Sequence, residues 1–545
     1  MTNLSQVGAL QWPAGVSPPA AGTLPALVDA QASTDPDRIA VTAEGLHVTY
    51  RELADRSLAA AGALRAQGIG RGGSVALLAP NSAEWLAIAV GAIRIGATLH
   101  AFNTWVRPAE LDYLLRASGA ELLVIVDVFA STDFIATVDD LTAGPTRRPG
   151  AVHSARYPAL RKVLVLGEAA DASWVGHWHV ALAASVPPSE ADVSEPQTAP
   201  VIIYTSGSTR APKAVPMVQR MMIDNGFAIG ERMGLTEDDS VWLASPLFWS
   251  YGIANAAMAT FTHGARLVLE DRFEPRRAVQ TLAVERCTAA YLLPTIADAL
   301  CQECPEEMRA LDHLRTGLTI GRPDEIGRIV TELGVEGICN IYGSTEVYGN
   351  CCVTDWREPL DVRLHCQGLP LPGVEVRIVD EKGGPVERGM PGQIEVRGRV
   401  MPGYLPGPDG IVESPMTTDG WFRTGDTGLL RPDDRLQFVG RHSEMIKSAG
   451  IKVSPAEIEE RLRDYPGVLE AAVVGRPDDT RGEVPVAFLV MESEPDEAAI
   501  VAFCREALSS YKVPKRIIRI DALPQTATGK LSRKALLELD LNGAR

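Results

Sequence analysis

Between residues 50 and 292 the chain switches repeatedly from a 3.6-residue apolar period to short apolar β-type runs, and this alternation constrains the fold more than any other feature. Residues 50–67 and 83–95 carry helical patterns, and β-type runs stand at 74–78, 98–102, 121–126, 162–166, 266–269 and 289–292. Strands separated by helices pair most readily in parallel, through crossovers that cover both sheet faces, so an α/β architecture with helix-covered sheets is expected. Gly68, Gly70 and Gly73 spell GxGxxG, but they follow a helix and precede a strand. That is the reverse of a dinucleotide fingerprint, and the reading is a helix-to-strand turn.

From about residue 364 the texture changes to β runs split by Gly and Pro, at 374–379, 393–397 and 436–439. After Gly440 an α+β pattern begins, with helices at 455–464 and 496–509 and strands at 471–474 and 485–490. The expected organisation is therefore a large N-terminal domain, 1–440, with a small β-rich subdomain at about 364–440, followed by a smaller α+β domain, 441–545. Residues 142–149 and 186–200 read as exposed linkers. Neither an internal repeat nor a low-complexity tract is present.

With 545 residues there is core enough for several structural units, and 46% apolar with 22% charged residues excludes wholesale disorder. The net charge of −17 argues against a nucleic-acid partner. Eight cysteines are too few for a disulfide scaffold, and Cys301 with Cys304 forms a lone CxxC that reads as two ordinary thiols. No Lys or Arg precedes Arg38, and the longest apolar run, 85–93, is too short to span a bilayer. A cytoplasmic protein without a membrane partner is expected.

The segment VIIYTSGSTRAPKAV, residues 201–215, ends a β run in a loop of small hydroxylated residues that closes on a lysine. Thr205, Ser206, Gly207, Ser208 and Thr209 offer hydroxyl and backbone donors, and Lys213 offers charge, a combination that suits phosphate. There is no GxxxxGK[ST], so this is not a Walker loop, and by itself the stretch is equally compatible with a polar surface turn.

Further strings follow in order: YGSTE at 342–346, WFRTGD at 421–426, Gly440 and Arg441 followed by Ile446, Lys447 and Gly450, and PQTATGK at 524–530. Together with the loop, and from TYREL at 49–53 onwards, they resemble the acyl-adenylate-forming superfamily of acyl-CoA synthetases, aryl-CoA ligases, peptide-synthetase adenylation domains and luciferases.

The resemblance implies that a carboxylate attacks the α-phosphorus of ATP and expels pyrophosphate, with Mg²⁺ required, and that coenzyme A then takes the acyl group. It implies that Lys213 and the loop hold the β- and γ-phosphates, Thr345 donates to the α-phosphate, and Glu346 ligates Mg²⁺. Tyr342 is implied as the adenine platform, followed by Gly343 and Ser344, with Asn340 at the exocyclic amine and Gly321, Arg322 and Pro323 backing the ring. Asp426 would accept the ribose hydroxyls, with Arg441 beside it. Lys530 matches the mobile lysine of the C-terminal domain, Ser443 the hinge, and Lys447, Ser448, Ala449 and Gly450 the pantetheine tunnel.

Several positions depart from the common pattern. Arg210 and Ala214 stand where the loop usually has glycine, Arg322 replaces a small residue, and Ser443 replaces Asp or Lys. The resemblance of 246–252 to the family's acyl-gate segment implies Trp249 as the gate, with Tyr251, Ile253, Ile320, Ile341 and Val347 as wall candidates, together with Tyr348; by itself Trp249 reads equally as a core tryptophan. No Asp or Arg stands out there, so a hydrophobic acid is expected. Two alternatives share the motifs: an adenylation enzyme that loads a carrier-protein phosphopantetheine or an amine, and a non-catalytic relic. A homodimer is compatible with either.

Overall fold

The computed structural model describes residues 4–142, 151–167, 174–186, 194–205, 212–408, 410, 414–441, 444–448, 451–478, 482–491, 493–508, 512–525 and 531–539. Helices and strands alternate where the hydrophobic periods require them. The helices Tyr50–Ala66 and Ala83–Arg94 and the strands Ser74–Leu78 and Thr98–Ala101 occupy the expected places. Helix Tyr50–Ala66 opens on a capping box: Glu52 N–H donates to Thr49 Oγ1 at 3.1 Å, and Thr49 N–H donates to the Glu52 carboxylate at 2.8 Å. The Gly-rich stretch after it is a helix-to-strand turn, with Gly68 at φ 86° and Gly72 at φ 78°, a conformation that disfavours any Cβ.

The chain divides into two compact units, the larger made of Val7–Glu375 and Val396–Phe422, the smaller of Met1–Gln6, Val376–Glu395 and Arg423–Arg545. Strands that the sequence reading assigned to the β-rich end of a 1–440 domain therefore group largely with the C-terminal residues.

In the larger unit a seven-stranded sheet runs in the order Gly176–His177, Lys162–Val165, Leu122–Ile125, Ser74–Leu78, Thr98–Ala101, Val201–Thr205 and Lys213–Met217. Its neighbours are parallel except for the last pair, a hairpin-like return. The nine-stranded sheet runs in the order Leu369–Pro370, Cys352–Val353, Gly337–Tyr342, Thr316–Thr319, Ala289–Tyr291, Ser240–Leu243, Arg266–Leu269, Ile39–Ala43 and Leu46–Thr49. From Gly337–Tyr342 to Ile39–Ala43 all pairs are parallel. Strands such as Leu122–Ile125, Ser240–Leu243 and Gly337–Tyr342 are buried throughout, as strands covered on both faces must be. In open sheets of this kind ligands gather beyond the carboxyl ends of strands, and the phosphate-loop candidate, the Gly321 stretch and YGSTE all begin at such ends.

One sheet, most of whose residues fall in the smaller unit, is built on Gln6–Val7, Glu375–Val379, Gly392–Arg397, Phe422–Leu430 and Leu436–Arg441. The other has the order Ile451–Val453, Ile446–Ser448, Gly482–Met491 and Val468–Asp478, with Arg516–Arg519 parallel beside Gly482–Met491. Val468–Asp478 and Gly482–Met491 outrun the expected strands because their antiparallel ladder continues through polar residues out to Asp478 opposite Gly482.

All eight cysteines are buried and unbridged, Cys301 and Cys304 among them in the helix-covered core of the nine-stranded sheet. Among the described residues no helix is long and apolar enough to cross a membrane.

One buried hub fixes a long connection in the larger unit. Asp112, on helix Pro108–Ser118, accepts from Arg156 at 2.7 Å, from the Tyr157 hydroxyl at 2.6 Å and from Arg116 at 3.0 Å. The Arg156 hydrogen bonds hold its carboxyl well below the usual range against the opposing push of burial, and Tyr157 and Arg116 add to the effect. Because the folded value is depressed, the stabilisation is complete at neutral pH and is lost as pH falls below about 4, the unfolded value. Asp112→Asn should cost about 2 kcal/mol at pH 6, less than a fully buried pair because Arg156 is open to solvent. Urea unfolding at pH 6 and pH 3 should show the gap between wild type and variant narrowing in acid; a gap independent of pH would contradict this account.

Candidate active site

Thr205 ends its strand directly opposite Lys213, the two being partners across the antiparallel pair Val201–Thr205 and Lys213–Met217. The loop candidates Ser206, Gly207, Ser208 and Thr209, with Arg210, lie outside the described residues. The strand leading to them is braced from below: Tyr204 Oη lies 2.7 Å from His100 Nδ1, and its ring meets Phe102 edge-on at 5.6 Å. Burial pushes His100 down to about 3, so this imidazole is neutral at pH 7.

The YGSTE stretch begins at the end of the buried strand Gly337–Tyr342. Tyr342 is buried, and its carbonyl accepts from Cys351 N–H at 2.9 Å. Gly343 is required by packing, since a Cβ there would stand 2.2 Å from Gly349 O and 2.6 Å from Asn350 Cα. The chain then closes a 3₁₀ turn, Thr345–Val347, and Gly349 N–H donates to Ser344 O at 2.8 Å. Asn340 spends its amide N–H groups on Arg363 O at 3.1 Å and Cys366 O at 3.0 Å, while its Oδ1 is buried without a partner. Ser344 Oγ is likewise buried and unpartnered.

Glu346 and Lys213 are brought to one side chain that the sequence reading missed. Tyr404 Oη donates to Glu346 Oε1 at 2.8 Å, and Lys213 Nζ sits 4.9 Å from the centre of the Tyr404 ring. Backbone bonds clasp the same segment on both sides: Leu405 N–H donates to Ala214 O at 3.0 Å, and Met401 N–H donates to Glu346 O at 2.8 Å. Only the pair Gly403-Tyr404, midway along the β-rich stretch, marks it in the sequence, and nothing local connects it to a residue 58 positions away.

Thr345 leads to the acyl-site candidates. Its hydroxyl lies 3.0 Å from Ser250 Oγ, at the start of the π-helical segment Ser250–Ala257. Such segments are wider than an α-helix and recur at functional sites. Gly252 permits it, because a Cβ would stand 2.2 Å from Pro246 O. Trp249 packs edge-on against Trp105 at 5.0 Å and Phe248 at 5.9 Å. Tyr251 donates to Leu318 O at 3.0 Å and meets the Tyr291 ring at 5.0 Å. Ile253, Ile341, Val347 and Tyr348 are buried, whereas Ile320 is 41% exposed, one residue past the buried end of strand Thr316–Thr319.

Gly321 and Arg322 precede helix Pro323–Thr331, which starts at Pro323. Arg322 turns onto that helix's first turn, 3.2 Å from Asp324 and 2.7 Å from Glu325, and its N–H donates to the Glu325 carboxylate at 2.8 Å.

In the smaller unit Asp426 and Arg441 face each other across strands Phe422–Leu430 and Leu436–Arg441, with Arg441 Nε 3.0 Å from Asp426 Oδ1. Asp426 is buried and Arg441 exposed. Lys447 and Ser448 belong to strand Ile446–Ser448. Ser443, Ala449, Gly450 and Lys530 lie outside the described residues. Three residues beyond Lys530, Arg533 is anchored by Glu459, by Glu444 at 2.9 Å and by Val473 O at 2.8 Å.

A hairpin pair ending on Thr205 and Lys213, a carboxylate and an ammonium on one tyrosine, and a threonine hydroxyl beside Ser250 agree with what similar proteins show. Residues 28–405 match the AMP-binding enzyme model and residues 457–530 the AMP-binding enzyme C-terminal domain. The chain belongs to the AMP-binding enzyme family. It is 31% identical over 516 residues to the acyl-CoA ligase SID4 of Ajellomyces capsulatus, covering 90% of this chain and 86% of that one. It is also 31% identical over 526 residues to the sulfoacetate–CoA ligase of Cupriavidus necator, covering 94% and 97%. Among solved structures, o-succinylbenzoate coenzyme A synthetase of Bacillus subtilis with ATP and magnesium matches with a TM-score of 0.76 at 25% identity, covering 94% of this chain and 98% of that one.

Gly343→Ala should force the 349–350 backbone outward and displace the Thr345–Val347 turn, at a stability cost of about 1–3 kcal/mol. Calorimetry should show ATP affinity lowered at least about tenfold while far-ultraviolet circular dichroism stays that of a folded chain. Unchanged ATP affinity would contradict the packing argument.

Proposed function

We propose that this protein is an ATP-dependent, AMP-forming acid–CoA ligase that joins a hydrophobic carboxylic acid to coenzyme A by way of an acyl-adenylate. The observation that carries the reading is the meeting of Lys213 and Glu346 on Tyr404, at the end of the YGSTE strand and beside the phosphate-suited hairpin. Both reactants are anions, so they approach only where positive charge and preset donors offset their repulsion.

Lys213 supplies such charge next to Thr205, and the Thr345 hydroxyl supplies a donor for the α-phosphate. Glu346 fits Mg²⁺: it is a carboxylate oxygen donor, and among the described residues only Tyr404 donates to it, through Oε1. A single carboxylate is also sufficient, because Mg²⁺ commonly takes one or two carboxylates, with waters and substrate phosphates completing its shell. When bound, Mg²⁺ would neutralise phosphate charge. The unpartnered acceptor Asn340 Oδ1 suits an exocyclic amine, and Tyr342 is proposed as the adenine platform with Gly321, Arg322 and Pro323 behind it. For Asp426 we propose the ribose hydroxyls, with Arg441 holding its carboxylate in place.

Trp249, with Trp105 and Phe248, is proposed to close an acyl pocket walled by Tyr251, Ile253, Ile341 and Val347. Lys530 is proposed to bridge the substrate carboxylate and α-phosphate during adenylation. Residues 441–545 are proposed as a mobile lid turning at Ser443, with Lys447, Ser448, Ala449 and Gly450 along the pantetheine path. The CoA ligases among its relatives favour free CoA over a carrier-protein acceptor. A cytoplasmic location accords with eight unbridged cysteines.

Pyrophosphate release measured across a panel of carboxylic acids, with AMP and thioester quantified when CoA or a phosphopantetheinyl carrier protein is added, tests the reading. Release with apolar acids and thioester on free CoA are expected; release with no acid, or thioester only on the carrier, would overturn it. Lys530→Ala should lower acyl-adenylate formation at least about a hundredfold while sparing thioester formation from supplied acyl-adenylate. Equal loss of both half-reactions would contradict the role given to Lys530.

A further inference from the structure

Tyr404 meets both charged groups of the site, Glu346 through its hydroxyl and Lys213 through its ring. Its hydroxyl donates to Glu346 Oε1 at 2.8 Å, which fixes the rotation of that carboxylate and leaves Oε2 as the other oxygen. Its π-face lies 4.9 Å from the Lys213 ammonium, close enough for a cation–π attraction. The tyrosine cannot drift from either partner independently. Leu405 N–H, the next residue, is bound to Ala214 O, adjacent to Lys213, and Met401 N–H is bound to Glu346 O itself. Ala214 and Leu405 also face each other as an isolated β-bridge.

Tyr404 is only half-buried, and backbone bonds of its neighbours Met401 and Leu405 already hold the chain. A phenol placed this way costs the flexibility of a large side chain and returns two polar contacts to groups that serve a ligand.

We infer that Tyr404 is a positioning residue for the metal–nucleotide complex: its hydroxyl presets Glu346 for Mg²⁺, and its ring presets Lys213 for the polyphosphate. This deepens, and rests on, the proposal that Glu346 and Lys213 serve Mg²⁺ and ATP. Groups that orient a metal ligand typically contribute about 10- to 100-fold to metal affinity. The two contacts separate by substitution. Tyr404→Phe keeps the ring beneath Lys213 and removes only the hydrogen bond to Glu346, whereas Tyr404→Leu removes both.

The test is calorimetric titration of the full chain with ATP, without acid or CoA so that no turnover occurs, in excess Mg²⁺ and separately in EDTA. Tyr404→Phe should bind ATP in EDTA as the wild type does but lose about tenfold of the affinity gained with Mg²⁺. Tyr404→Leu should be weakened in EDTA as well, by about threefold. Glu346→Gln should lose the Mg²⁺ gain, and adding Tyr404→Phe to it should cost nothing more. A Mg²⁺ gain that Glu346→Gln loses and Tyr404→Phe keeps in full would overturn the role of Tyr404 while leaving the metal assignment standing. A gain that survives in Glu346→Gln would overturn the assignment of Glu346 and the inference with it.

Discussion

An ammonium and a carboxylate proposed to serve the same polyphosphate must be held close without collapsing onto each other, and in the larger unit one phenol meets both. Tyr404 offers its negative π-face to Lys213 and its positive hydroxyl hydrogen to Glu346, so each charge faces the complementary pole of one rigid group. Backbone bonds to Ala214 and Glu346 hold the segment that carries the tyrosine, so under the proposed roles the two charges would be preset before a ligand arrives.

The sheets explain why these residues are available to each other. Parallel strands need crossovers, so every carboxyl end opens into a loop whose backbone groups have left the ladder. Val201–Thr205 and Gly337–Tyr342 belong to different sheets, and each delivers a candidate segment at such an end. Val396–Phe422 carries Tyr404 within the larger unit, and Ser250 extends the chain of contacts from Thr345 to the aromatic group around Trp249. The smaller unit contributes its own preset pair, Asp426 with Arg441, through simple cross-strand register.

Much of the architecture was legible because strands covered on both faces are nearly continuous apolar runs: Ser74–Leu78 and Arg266–Leu269 fall where their sequences place them. Strand ends in the smaller unit were not, because pairing carries Val468–Asp478 through Arg476 and Asp478, where hydrophobicity gives no sign of a strand. The charged site residues were named through family resemblance to short motifs. What joins them was not legible: Tyr404 and Glu346 are 58 residues apart, Ser250 and Thr345 are 95 apart, and no local pattern encodes such meetings. Ile320, a wall candidate, lies exposed because it stands just past the strand Thr316–Thr319, whose four residues are all buried.

The most direct test of the central claim is a crystal structure of the full chain with ATP and Mn²⁺, the metal located by its anomalous scattering. The account predicts a metal peak within ligand distance of Glu346, phosphate oxygens within hydrogen-bond distance of Lys213, and the Tyr404 hydroxyl still on Glu346. A metal and polyphosphate bound away from both residues would contradict it.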